Sequence, residues 1–264
     1  QIGSGTSNSN SDFQPMIEYN GSIYGQGWFG TRELFSLNET SYELVTTTGG
    51  SHTNPRSLTI FDGWLYFLTY SSSSGTGCLF RTNGTADGTS MFICGTPPHS
   101  PGANTNEMAV FNDELYFIRT STGYGHELWK TDGTSSGTVM VKDIVSGIGS
   151  GFCSSGSSGS CSGGNSMYVT GDYLLFNVDS NGDNFQELWR TDGTSTGTVL
   201  LANVTVANRP VYWHQVEDVV YFRGQSENNA GQELWRTDGT TVGTMMVDDI
   251  RAGVQSSVPK HILD

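Results

Sequence analysis

Apolar residues in this chain come in short stretches broken by turn residues, and the breaks are regular. Five segments read as β-hairpins: MIEYNGSIYG from Met16, SLTIFDGWLYFLT from Ser57, MAVFNDELYFIR from Met108, MYVTGDYLLFNV from Met167 and VYWHQVEDVVYFR from Val211. Each has a turn pair at its centre, namely Asn20-Gly21, Asp62-Gly63, Asn112-Asp113, Gly171-Asp172 and Glu217-Asp218. Asn-Gly and Asp-Gly accept the positive φ of a tight hairpin turn. No long segment places apolar residues at i, i+3, i+4 and i+7, so helices are not expected.

After each hairpin comes a recurring phrase. It reads ELWKTDGTSSGT from Glu127, ELWRTDGTSTGT from Glu187 and ELWRTDGTTVGT from Glu233; CLFRTNGTADGT from Cys78 is a weaker copy and ELFSLNETSYEL from Glu33 a degenerate one. The first part of the phrase supplies a third strand, the Asp-Gly a turn, and the residues after it a fourth strand. Four antiparallel strands per unit of this length is the anatomy of a propeller blade. The expectation is an all-β chain: one five-bladed β-propeller of four-stranded antiparallel blades over 14–264, after a tail at 1–13. The repeats fall at about 14–54, 55–104, 105–164, 165–208 and 209–257, and 258–264 is a strand that closes the ring. Trp129, Trp189 and Trp235, with Phe80 and Phe35 in the earlier copies, are expected to pack between blades. Asp132, Asp192 and Asp238 should bond within their own turns.

These phrases resemble the repeat family named for its ELWxxDGT motif. The likeness covers nearly the whole chain from about residue 14, is strong in the last three units and is poorest in the first. It implies the repeat architecture and no particular activity.

Composition narrows the partners. Among 264 residues there are 26 Asp plus Glu against 12 Lys plus Arg, for a net charge of −14. Such a surface repels phosphate backbones and anionic headgroups, so neither nucleic acid nor a membrane surface is expected as a partner. No apolar run reaches the length of a membrane span. The chain opens on Gln1, which reads as processing or trimming. Four cysteines, Cys78 with Cys94 and Cys153 with Cys161, are spaced for local disulfides and not for C-x-x-C chemistry. Sequons at Asn20, Asn38, Asn83 and Asn203 are candidate glycosylation sites. Together these predict a secreted glycoprotein in an oxidising compartment.

Cys78 stands where later copies have Glu, with Cys94 sixteen residues on. If the two are bridged, Glu127 and Asp143, Glu187 and Asn203, and Glu233 and Asp249 are cross-strand neighbours. Paired carboxylates need a nearby Lys or Arg, water at an exposed edge, or a bound cation. Glu233 with Asp249 is therefore one candidate calcium site, and Asp179, Asn181 and Asp183 form another.

In an up-down-up-down blade the tight turns lie at one end and the long connections at the other. Long connections on a rigid scaffold are the usual seat of function. Tyr124, His126, Phe185 and Trp213 are the candidate ligand contacts there. The reading is a secreted, non-catalytic, lectin-like protein taking a glycan or glycoprotein through these loops. One alternative is a structural or adhesive matrix protein that binds proteins or calcium. Another is a propeller hydrolase with carboxylates at the central channel, although no G-x-S-x-G or H-E-x-x-H motif is present.

Overall fold

The computed structural model describes residues 16–28, 32–45, 53–71, 76–96, 107–152, 167–182, 185–206, 213–226 and 231–257. Among them there is no helix, and the strands form five antiparallel sheets. The first contains β1 (Ile17–Tyr19), β2 (Ser22–Trp28), β3 (Arg32–Leu37) and β4 (Tyr42–Leu44). The second contains β5 (Thr53–Phe61), β6 (Trp64–Ser71), β7 (Thr76–Thr82) and β8 (Ser90–Thr96). The third is β9 (Met108–Phe111), β10 (Glu114–Ser121), β11 (Tyr124–Thr131) and β12 (Val139–Lys142). The fourth is β13 (Met167–Val169), β14 (Leu174–Val178), β15 (Glu187–Thr191) and β16 (Val199–Ala202). The fifth holds β17 (Val204–Val206), β18 (Trp213–Val216), β19 (Val219–Ser226), β20 (Gln232–Thr237) and β21 (Met245–Met246).

The first four sheets are simple meanders, each strand bonded to its sequence neighbour. Their hairpin turns follow the sequence chemistry: Asn20, Asp62, Asn112 and Asp113 have φ of 49°, 46°, 49° and 57°, as the primed turns require. The fourth sheet differs. Gly171-Asp172 is spanned by Thr170, whose N–H and Oγ1–H both donate to the carbonyl of Tyr173. The fifth sheet differs more. β17 and β18 both pair with β19, the first at Gly224–Ser226 and the second at Val219–Phe222. Its first strand is thus in two pieces, and Val204–Val206 belongs to the fifth sheet although the repeat boundary was expected near 208.

Burial explains the composition of the inner strands. Leu65–Thr69 of β6, Leu115–Ile118 of β10 and all of β14 are buried on both faces, which is why they read as continuous apolar runs and not as alternating ones. The cores lie between sheets within each compact part of the chain. Tyr19, Tyr24 and Leu34 pack with Leu65, Phe67 and Phe80 between the first and second. Ile118 and Leu128 meet Phe176 and Val178 between the third and fourth. Leu175 and Leu188 meet Trp213 and Phe222 between the fourth and fifth.

The chain divides into two compact units, Gln1–Ala103 with Ser154–Gly156, and Asn104–Cys153 with Ser157–Asp264. The first contains sheets one and two, and the second contains sheets three to five.

Cys78 and Cys94 are directly opposed on β7 and β8 and are joined by a disulfide. Cys153 and Cys161, and the closing strand expected at 258–264, lie outside the described residues. The repeated Trp residues are half-buried: Trp189 lies against the core between sheets three and four, and Trp235 against that between four and five. Trp129 carries the Arg119 guanidinium 4.5 Å from its ring centre.

Candidate functional site

Each sheet has a turn end and a connection end, and the repeated phrase builds both. At the turn end, T-D-G-T-x-x-G-T closes a hydrogen-bonded net on itself. Thr131 Oγ1 accepts the Gly133 N–H at 3.1 Å and meets Thr138 Oγ1 at 2.8 Å. Asp132 Oδ1 accepts the N–H and the hydroxyl of Thr134 at 2.9 and 2.7 Å. Thr134 Oγ1 accepts the Gly137 N–H at 3.0 Å. Thr191 to Thr198 and Thr237 to Thr244 repeat the same net. The Thr hydroxyls hold Asp132, Asp192 and Asp238 below the ordinary carboxylate range. The expected Asx turns are therefore present.

The turn also fastens consecutive sheets, which the sequence did not reveal. Gly84, Gly193 and Gly239 have positive φ, and a Cβ at each would fall within 2.6 Å of a tyrosine of the preceding sheet: Tyr24, Tyr116 and Tyr173. The glycine is favoured by its backbone conformation and by the close approach of the tyrosine, through its hydroxyl at Gly84 and Gly193 and through its ring at Gly239. Beside the last of these contacts a cavity of about 250 Å³ opens between the fourth and fifth sheets, lined by Asp172, Tyr173, Gln215, Asp218 and Asp238 among others.

At the connection end, the Glu of the ELW phrase is buried, and its partners are backbone amides, joined at Glu233 by the Ser257 hydroxyl. Glu127 accepts the N–H groups of Ile144 and Val145 at 2.9 and 3.3 Å. Glu187 accepts that of Ser180 at 2.8 Å, and Glu233 that of Ser257 at 2.9 Å. Burial pushes the Glu127 carboxyl up to about 7, and that of Glu187 up as well. Asp249 Oδ2 accepts the Gly253 N–H, and Glu233 accepts both the N–H and the hydroxyl of Ser257. Asp179 Oδ1 likewise accepts the Gly182 N–H at 2.7 Å, Asn181 is exposed, and Asp183 lies outside the described residues. Among the described residues no three His, Cys, Asp or Glu gather as a metal site.

A second phrase was legible in the sequence and was missed. DIVSGIGS from Asp143 and DIRAGVQS from Asp249 share D-I-x-x-G-[I/V]-x-S. Both loops turn on a glycine of positive φ, Gly147 or Gly253, whose N–H donates to the leading Asp. Ser150 Oγ accepts the His126 N–H at 3.0 Å, and Ser256 Oγ the Gln232 N–H at 2.9 Å. The aliphatic residue after that glycine stands out in solvent in each loop: Ile148 is 87% exposed and Val254 71%. Ser150 Oγ also lies 3.3 Å from His126 Nδ1. The fifth sheet makes the same backbone bond with Gln232 in place of His126, so this contact is part of the loop's anchorage and not a nucleophile pair.

The expected ligand contacts separate. Tyr124, 40% exposed, and His126 stand together at the connection end of the third sheet, under the loop that carries Ile148. Phe185 is half-buried just before β15. Trp213 is a correction: only 6% exposed, it stacks on Tyr168 at 5.1 Å between sheets four and five and has no face left for a ligand. The four sequon asparagines, Asn20, Asn38, Asn83 and Asn203, are all exposed.

No family model matches the chain, and no curated protein sequence does either. Solved structures resemble it in fold. A puromycin hydrolase matches 92% of the chain at 12% identity, with a TM-score of 0.52. A puromycin-hydrolyzing peptidase of Mycobacterium tuberculosis matches 90% at 10% identity, and a prolyl endopeptidase 89% at 10%, both also with a TM-score of 0.52. The chain spans 40%, 38% and 36% of those structures respectively, so the likeness concerns one part of each and its fold alone.

Proposed function

We propose that this chain is an extracellular, non-catalytic binding protein of the ELWxxDGT-repeat type, its five sheets the blades of a propeller, and that it takes glycans at the connection ends. Three features support the propeller: four-stranded meanders, cores between consecutive sheets, and the sheet-to-sheet seating of tyrosine on turn glycine. The disulfide supports an oxidising compartment.

One observation carries the ligand reading. At the end of the third sheet, exposed Tyr124 and Ile148 are held by a loop pinned at four places: Glu127 to Ile144 and Val145, Gly125 N–H to the Gly147 carbonyl, and Ser150 to His126. An apolar surface fixed in advance loses little freedom on binding. Tyrosine and isoleucine offer the flat apolar contact that a sugar ring presents on one face, and His126 and the loop amides offer partners for its hydroxyls. The related loop at Val254 gives a second, weaker copy, and two weak sites on one chain gain by avidity.

A glycan array probed with the full chain tests this. Tyr124→Ala and Ile148→Ser are expected to lose the bound glycans with no change in melting temperature. If Asp172→Asn with Asp218→Asn abolishes binding and the first pair does not, the site is the turn-end cavity. A chain that binds no glycan refutes the reading.

A further inference from the structure

We propose that Asn38 and Asn83 are N-glycan acceptors, and that the DGT turn of every repeat is a latent acceptor that becomes live wherever Asn replaces Asp. Asn38 and Asn83 stand at the repeat position that Asp132, Asp192 and Asp238 occupy in the last three sheets. A threonine two residues on belongs to the turn in each case: Thr40, Thr85, Thr134, Thr194 and Thr240. In the Asp turns it serves the net alone. With Asn it also completes an N-x-T sequon.

The turn leaves the reacting atom unused. Asn83 Oδ1 accepts the N–H of Thr85 at 3.1 Å and its hydroxyl at 2.8 Å. Asn38 Oδ1 accepts the N–H groups of Thr40 and Ser41 at 3.0 and 2.9 Å, and both their hydroxyls. Among the described residues neither Nδ2 donates a hydrogen bond, and both side chains are exposed. A sugar on Nδ2 therefore costs the turn none of its bonds. At Asn203, by contrast, the sequon's Thr205 donates its hydroxyl to the Gln186 carbonyl, at 2.9 Å.

In the transfer, Nδ2 attacks the anomeric carbon of a lipid-linked oligosaccharide diphosphate. The C–N bond forms, and the C–O bond to the diphosphate breaks. The lipid diphosphate leaves with the electron pair, and Nδ2 releases one proton. The proposal rests on the extracellular reading above, since a chain meets that donor on the secretory route. Its consequence is that glycans cover the turn ends of sheets one and two.

The experiment is a glycopeptide map of the full chain, exported behind a cleavable leader from a eukaryotic cell that glycosylates. Glycan is expected on both Asn38 and Asn83, with Thr85→Ala abolishing it at the second. Asp192→Asn is expected to gain one glycan at that position. Amidase removal of the glycan leaves aspartate, the residue already standing in the last three repeats, so the melting temperature should not change. A bare Asn38 or Asn83 in the exported chain overturns the acceptor assignment. A bare position in Asp192→Asn overturns the latent acceptor. Because the leader imposes export and the array reads binding, these failures are distinct from failure of the ligand reading.

Discussion

The second glycine of the DGTxxGT phrase has a role that a substitution can expose. Gly197 does not need a positive φ, so an alanine there is not strained by the backbone. Its Cβ, however, would lie 2.1 Å from Cγ and both carboxylate oxygens of Asp192, far inside contact distance. Gly197→Ala therefore drives the Asp192 side chain out of the turn. Two bonds go with it, from the Thr194 N–H at 2.8 Å and the Thr194 hydroxyl at 2.7 Å. Each is worth about 0.5–1.5 kcal/mol net. Asp192 is exposed and regains water, so the lower half of that range applies, and the loss is about 1–2 kcal/mol. Removing a glycine returns roughly 0.4–1 kcal/mol through the unfolded chain. The net expectation is a destabilisation of about 0–1.6 kcal/mol, which is about 1–2 kcal/mol below an unstrained glycine-to-alanine change. Gly171→Ala, where a Cβ meets open space, is the control and should show that gain alone, a stabilisation of about 0.4–1 kcal/mol. Urea unfolding followed by tryptophan fluorescence measures both. The decisive arm is a double-mutant cycle. Since Gly197→Ala acts by displacing Asp192, Asp192→Ala with Gly197→Ala should cost no more than Asp192→Ala alone. Costs that add in full would refute the argument.

Three further outcomes follow from burial and bonding. Glu127 titrates near 7 in the fold against an ordinary 4.5, so the folded chain holds the extra proton between those values. The contribution of Glu127 to stability is then fully present below about pH 4.5 and is lost as pH rises to 7, by at most on the order of 3 kcal/mol. Glu127→Gln should flatten that slope in pH-dependent denaturation, and an unchanged slope would show that another group causes it. Trp213→Ala should cost about 3–5 kcal/mol, as for a buried aromatic ring. If it melts like the parent, Trp213 is not the core residue described above. Reducing Cys78–Cys94 should cost about 2–3 kcal/mol, given its short loop. A melting curve indifferent to reductant would contradict that figure.

How much of this was legible beforehand depended on the range of the interaction. Hairpins, tight turns and the Asx bonds of the repeated Asp are settled within a few residues of the chain. Positive φ and a Thr two positions from Asp are local facts, and the sequence by itself determined them. The disulfide was legible from the even number and close spacing of the cysteines, and repetition let that unit serve as a ruler for the others. The D-I-x-x-G-[I/V]-x-S loops were equally open to that ruler, and their anchorage could have been read from it.

Tertiary structure alone decided what each sheet does to the next. Trp213 looked like a loop aromatic until Tyr168 and Phe222, from two different sheets, closed over it. Val204–Val206 joins the fifth sheet because β19 extends past β18 and offers its free edge to whichever segment reaches it. Tyr116 finds Gly193, and Tyr173 finds Gly239, across a gap between sheets. The contacts between sheets share one physical reason. Sequence spacing reports neighbours along a strand and across a hairpin, whereas packing between sheets brings together residues whose separation along the chain carries no periodic signal.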